Sequence, residues 1–115
     1  MDEILEQALL YDFYGELLTE HQQKIYEDVV FNDLSYSEVA KEQGISRQGI
    51  YDLIKRINRI LAGYEEKLHL VEQFKRAREL AEKIHALSET YLAEGNLDDI
   101  YEIRRISAEL MELQN

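Results

Sequence analysis

The sequence predicts an all-α protein, and three observations carry that prediction. In 115 residues there is no proline and there are only five glycines, so little interrupts a helix. The chain is rich in Glu, Leu, Ile and Ala, a composition that favours helical packing. Apolar residues also recur at spacings of three and four along almost its whole length, the period of an amphipathic helix.

The first helix is expected over Asp2–Tyr14, where Ile4, Leu5, Ala8, Leu9, Tyr11 and Tyr14 repeat at helical spacing. Gly15 loosens or ends it near Leu18. Thr19 has the hydroxyl of an N-cap, and Glu20 follows at the positive end of a helix dipole. The second helix then runs from Glu20 to about Phe31, with Ile25, Val29 and Val30 inward, and Asn32-Asp33 make a turn.

Ser35 to Leu61 is the most strongly patterned stretch. Ser35 and Glu38 have the spacing of a capping box opening a third helix, Tyr36–Gln43. Gly44 stands where that helix must stop in a left-handed conformation. Ile45 is expected to plug the turn, and Ser46 to cap a fourth helix that starts at about Arg47. Ile50, Leu53, Ile54, Ile57 and Leu61 form the buried stripe of that helix. Two helices crossing closely need a small residue in the first, a glycine at the turn and a branched apolar residue in the second. Ala40, Gly44 and Ile50 meet that need, with Val39, Ile45 and Leu53 in support; Gln43 departs from it, standing where a hydrophobic residue is commoner. The pattern is a helix-turn-helix.

From Arg47 the helical pattern shows no convincing break until Gly95, apart from Gly63. The boundary is therefore placed there: residues 1–62 as a helix-turn-helix bundle, residues 63–115 as a C-terminal helical hairpin. Continuous from Tyr64 to Glu94, the helix would span about 46 Å. Its stripe is Leu70, Phe74, Ala77, Ala81, Ile84, Ser88 and Tyr91, widened by Leu80, Leu87 and Leu92. Gly95 is the expected C-cap and Asn96 the next N-cap. Leu97, Ile100, Ile103, Ile106, Leu110 and Leu113 mark a last helix over Leu97–Leu113. The seam of this hairpin is expected to dimerise with a second copy, as a homodimer; the alternative is that the hairpin folds back on the bundle.

A chain of this length fits one domain, or one domain plus an extension, and 45% hydrophobic residues suffice for a core. No apolar run approaches the roughly 20 residues of a membrane helix, so no membrane partner is expected. The acidic N-terminus is unlike a signal peptide, and the absence of cysteine excludes disulfides and thiolate sites. The cytoplasm is the default location. Net charge is −11, unevenly placed. Met1–Leu34 carries −8, Ser35–Ala62 carries +2 and Gly63–Asn115 carries −5. The one net-positive stretch is the helix-turn-helix, and a nucleic-acid binder concentrates positive charge in this way. The acidic remainder reads as a solubilising surface.

The exposed positions of the fourth helix are expected to be Ser46, Arg47, Gln48, Tyr51, Asp52 and Lys55, the ones a recognition helix turns toward a major groove. Arginine takes guanine bidentately and glutamine takes adenine. Arg56 and Arg59 suit phosphates. Asp52 works against phosphate, although a carboxylate accepts from cytosine. The alternative is that this charged face meets protein. Two Glu-x-x-His pairs, Glu66/His69 and Glu82/His85, have the ligand spacing of carboxylate-bridged metal bundles. They would lie on one helix about 24 Å apart, with no facing glutamates identified, so solvated histidines are expected and no metal or cofactor. His21 stands alone at a helix start. Of eight tyrosines, Tyr11, Tyr14, Tyr26, Tyr36 and Tyr64 fall where helices cross, as core residues with a hydroxyl at the edge. There is no phosphate-cradling glycine loop and no nucleophile paired with His and Asp, so no enzyme is expected.

Leu18-Thr19-Glu20, Gln22-Gln23, the run Asp33 to Ala40, and Gly44-Ile45-Ser46-Arg47-Gln48 resemble region 4 of bacterial sigma factors. With Tyr51-Asp52, Ile54-Lys55-Arg56 and Tyr64 to Leu70 added, the chain is similar to the YlxM family of small bacterial proteins, specifically between Leu18 and Leu70 and loosely in the hairpin. The resemblance implies a sigma region 4-like, all-helical, DNA-binding protein and a link to the signal recognition particle pathway. It gives Arg47, Gln48, Tyr51 and Lys55 a base-contact role. The expected function is a regulatory helix-turn-helix protein that binds DNA, or the RNA or protein of the signal recognition particle. The alternative is an acidic adaptor that docks a basic component of the targeting machinery, such as the particle's GTPase, without touching DNA.

Overall fold

The computed structural model describes residues 3–113, so Asp2, the expected start of the first helix, lies outside the described residues. Among those described there are six α-helices and no strand. The all-α expectation holds. They belong to two compact units, one ending at Val71 and one beginning at Glu72.

In the first unit, α1 (Glu3–Tyr14) ends in a 3-10 turn at Gly15–Leu17. α2 (Glu20–Tyr26) follows and widens into a π-helical turn at Glu27–Phe31. α3 (Tyr36–Gln43) and α4 (Arg47–Leu68) complete the bundle. The caps are those the residue types demand. Thr19 Oγ1 accepts the Gln22 N–H at 3.1 Å while the Thr19 N–H donates to Gln22 Oε1 at 3.0 Å. Ser35 and Glu38 repeat the arrangement for α3 at 3.1 and 3.2 Å.

α4 is the spine. It packs against α1, α2 and α3, and its Ile50, Ile54, Ile57 and Leu61 are buried among Tyr14, Ile25, Tyr26, Val39 and Val71. Tyr26, fully buried, stacks on Tyr11 with ring centroids 5.4 Å apart and donates its hydroxyl to Asn58 Oδ1 at 2.7 Å. The π-helical turn is organised by a buried acid. Asp28 accepts from the Lys24 ammonium at 2.9 Å and from Asn32 Nδ2 at 3.0 Å, and the Asn32 N–H reaches back to the Glu27 carbonyl. Asp33 then turns the chain at φ 58°, a region that Asp tolerates better than most residues.

Two expectations are corrected by the packing. α4 passes through Gly63 without a break, and the helix predicted as continuous from Tyr64 to Glu94 is interrupted at His69, which sits at φ 57°. The cause is tertiary. Tyr14, on α1, donates to Glu65 Oε1 at 2.5 Å and accepts from the Leu70 N–H at 3.1 Å, while Glu65 Oε1 also accepts from the Val71 N–H at 2.9 Å. These two side chains satisfy the first N–H groups of the next helix, so it can start there. The second correction is Ile45, which is 46% exposed rather than a buried plug. It lies along the first turn of α4, where a Cβ on Gly49 would stand 3.5 Å from its Cδ1.

α5 (Leu70–Glu94), whose first two residues belong to the first unit, and α6 (Leu97–Leu113) are joined at Gly95, φ 70°. Asn96 caps α6 by accepting the Asp98 N–H at 3.0 Å. An Arg76–Glu109 ion pair brings the early part of α5 to the late part of α6, so the hairpin is antiparallel. Leu80 and Ile106 are its buried side chains. Within one chain the predicted stripe is only partly covered: Phe74 is 42% exposed, Leu92 85% and Leu97 54%. Leu80 takes the inner position because the α5 stripe is set by the facing helix, which the period of α5 alone does not show.

Candidate nucleic-acid interface

The turn between α3 and α4 holds the site. Gly44 takes φ 70° as the C-cap of α3, and the Ile45 N–H closes on the Ala40 carbonyl at 3.1 Å. A Cβ at Gly44 would meet no atom within 4 Å, so conformation and not space requires glycine. Ser46 Oγ accepts the Gly49 N–H at 2.9 Å and opens α4. Gly49 is tight, since a Cβ there would fall 3.2 Å from Ser46 Oγ. Beneath the turn, Val39, Ala40 and Ile50 are buried where the two helices cross.

Gln43, which departs from the usual apolar residue before the turn glycine, faces α2. Its Oε1 is 3.0 Å from His21 Nε2. A polar tie between helices replaces a packing contact, and it also places the isolated His21.

Every predicted contact residue is exposed, on α4 or at its cap: Ser46, Arg47, Gln48, Tyr51, Lys55, Arg56 and Arg59. At about 100° per residue, Arg47 through Arg56 sweep one half of the helix, opposite the buried arc of Ile50, Ile54, Ile57 and Leu61. Among the described residues, Arg47, Lys55, Arg56 and Arg59 form no ion pair. Elsewhere Lys24, Arg76, Arg78 and Arg105 each hold a carboxylate, while Lys41, Lys67, Lys83 and Arg104 likewise form no ion pair among the described residues. The α4 cations therefore remain available to a polyanion.

Three features of this face were not read from the sequence. Tyr36, assigned to a helix crossing, stands beside Tyr51 with centroids 6.0 Å apart and rings at 72°. Lys55 Nζ lies 5.8 Å over the Tyr51 ring. Gln48 Nε2 donates to Asp52 Oδ1 at 3.0 Å. The last two join residues four apart on one helix, a spacing that could have signalled them. Tyr36, Arg47, Gln48 and Tyr51 line an open depression of about 520 Å³.

The second Glu-x-x-His pair does not converge as a chelate. Glu82 pairs with Arg78, and His85 faces Glu89 at 3.3 Å. Among the described residues no helix is long and apolar enough to cross a membrane.

The chain is similar in sequence to several known proteins. UPF0122 protein TTE1463 of Caldanaerobacter subterraneus subsp. tengcongensis is 47% identical over 88 residues, covering 76% of this chain and 73% of the relative. A UPF0122 protein of Acetivibrio thermocellus is 38% identical over 117 aligned positions, 98% of this chain and 97% of its own. The BH2485 protein of Halalkalibacterium halodurans is 40% identical over 84 residues, covering 73% of this chain and 77% of the relative. A family model matches residues 1–101. The chain thus belongs to the UPF0122 family, described as "putative helix-turn-helix protein, YlxM / p13 like".

Proposed function

We propose that this protein is a cytoplasmic regulatory binder of nucleic acid, and not an enzyme, which lays the exposed half of α4 into a duplex groove. The observation that supports the reading is a set of four cations, Arg47, Lys55, Arg56 and Arg59, without an ion pair among the described residues. They stand on the second helix of a helix-turn-helix in an otherwise acidic chain. In this reading Arg47, Gln48, Tyr51 and Lys55, with Ser46 at the helix start, meet base edges; Arg56 and Arg59 meet phosphates. The ligand is promoter-like DNA, or an RNA such as that of the signal recognition particle, where the same cations would meet the phosphate backbone rather than base edges. In this reading the protein acts as a homodimer through the hairpin, where Leu92, Leu97, Tyr101 and Met111 are more than half exposed; two-fold readers place two recognition helices about 34 Å apart.

Binding measured against salt tests this. The expected log–log slope for duplex DNA is about −0.9 per phosphate contacted, and Arg56→Ala or Arg59→Ala lowers it by about one. Arg47→Ala weakens binding by about 1–3 kcal/mol. No binding to duplex DNA or RNA at low salt overturns the reading.

The charge distribution favours a second reading. The −8 of Met1–Leu34 and the −5 of Gly63–Asn115 suit an adaptor that docks a basic protein, such as the particle's GTPase. Capture of that GTPase would then survive Arg47→Ala and Lys55→Ala and fail on charge reversal of the hairpin acids. The opposite pattern excludes the adaptor.

A further inference from the structure

Asp52 is the anomaly of the recognition face: a carboxylate in the middle of the cationic surface proposed to meet phosphate. It accepts from Gln48 Nε2 at 3.0 Å. A carboxylate only accepts, so the NH2 of Gln48 must turn toward it and the carbonyl Oε1 away. The planar amide has two N–H bonds. With the N–H trans to Oε1 held by Asp52, the N–H left free is the one beside Oε1, and the outward edge of Gln48 is that acceptor and donor side by side.

That edge is one acceptor beside one donor. Its complement in the major groove is adenine, which presents the N6 amino donor beside the N7 acceptor. Guanine presents N7 and O6, two acceptors, and meets Oε1 with repulsion. An unrestrained glutamine amide rotates and turns both N–H bonds toward guanine, so without a restraint it discriminates poorly. We propose that Asp52 is a positioning residue: by holding one N–H of Gln48 it fixes the amide so that α4 selects adenine over guanine at one position of its site. The negative charge of Asp52 also repels phosphate, so the same residue lowers affinity for arbitrary duplex. The neighbours agree with a preset face. Tyr51, next along the chain, is held between the Tyr36 ring and Lys55.

This inference rests on the duplex-binding reading. The test uses the full chain, a randomised duplex library for base preference, and random-sequence duplex for background affinity. Asp52→Asn removes the charge but retains an Oδ1 acceptor for Gln48; Asp52→Ala removes both. Wild type is expected to prefer adenine over guanine about tenfold or more at one position. Asp52→Asn keeps that preference, and Asp52→Ala reduces it to within about twofold. Both variants bind random duplex more tightly than wild type. Asp52 is exposed, so neither change is expected to disturb folding. A separate readout is the side-chain amide signal of Gln48 in the free protein, which shifts on Asp52→Ala and much less on Asp52→Asn. An adenine preference equally strong in all three proteins overturns the positioning role and leaves duplex binding intact. A wild type that prefers no base at any position overturns it likewise. A wild type that binds no duplex overturns the duplex reading and this inference together.

Discussion

Tyr14 donates its phenolic proton to Glu65 Oε1 at 2.5 Å, and the pair holds the first two backbone N–H groups of α5. One hydrogen-bonded pair thus ties the end of α1 to the end of α4 and starts the next helix. Tyr14→Phe leaves the part-buried Glu65 acceptor and the Leu70 N–H without that partner. The expected loss is about 1–3 kcal/mol in urea unfolding. Glu65→Gln, which retains an acceptor oxygen, is expected to lose less; equal stability of Tyr14→Phe and wild type would refute the role of the pair.

The tyrosines also set the alkaline limit. Burial pushes Tyr26 up to about 12, and burial with a carboxylate partner raises Tyr14 and Tyr11 above the ordinary tyrosine value of 10.0. A raised pKa in the folded state means the neutral form is favoured there. Their contribution is therefore complete below pH 10 and is lost as pH rises toward and through 12. Unfolding free energy followed from about pH 9 to about pH 12 should fall steeply, and Tyr26→Phe should make the fall shallower.

Asp28 sets the acid limit with the opposite sign. Hydrogen bonds from Lys24 and Asn32 hold its carboxyl below the usual aspartate range, against the effect of burial. A depressed pKa stabilises the fold above the unfolded value and is lost as pH falls through the folded one. Stability of wild type should drop below about pH 4, and Asp28→Asn should have a flatter acid profile and a lower plateau at neutral pH. Circular dichroism across a pH series reads both.

Gly44 and Gly63 look alike in the sequence as interruptions, and the structure separates them. Gly44→Ala forces a Cβ into φ 70° and should cost about 1 kcal/mol or more. Gly63 lies inside α4, and a Cβ added there would meet no atom within 4 Å. Gly63→Ala should raise stability by about 0.5–1 kcal/mol. Thermal melts of the two variants should move in opposite directions.

The hairpin leaves Leu92, Leu97, Tyr101 and Met111 more than half exposed. If they form the proposed seam between copies, Leu97→Glu with Tyr101→Glu should halve the sedimenting mass while leaving helicity unchanged. A mass unchanged by both charges would remove the seam.

Local chemistry was readable from the chain alone. Thr19, Ser35 and Ser46 cap because a hydroxyl beside an orphan N–H bonds it wherever the helix lies, and Gly44 turns because its φ depends on its missing Cβ. The period of Ile50, Ile54, Ile57 and Leu61 placed the buried side of α4, and with it the exposed side that carries Arg47, Gln48, Tyr51 and Lys55. What tertiary structure decided involves partners distant in sequence. The long helix breaks at His69 because Tyr14, 56 positions before Leu70, supplies a cap for α5. Ile45 lies on the surface along the first turn of α4, while Val39, Ala40 and Ile50 fill the crossing of α3 and α4. Tyr36 reached the recognition face only once α3 was packed on α4. An amphipathic period says which side of a helix is buried; it carries no record of which side chain arrives from elsewhere to meet it.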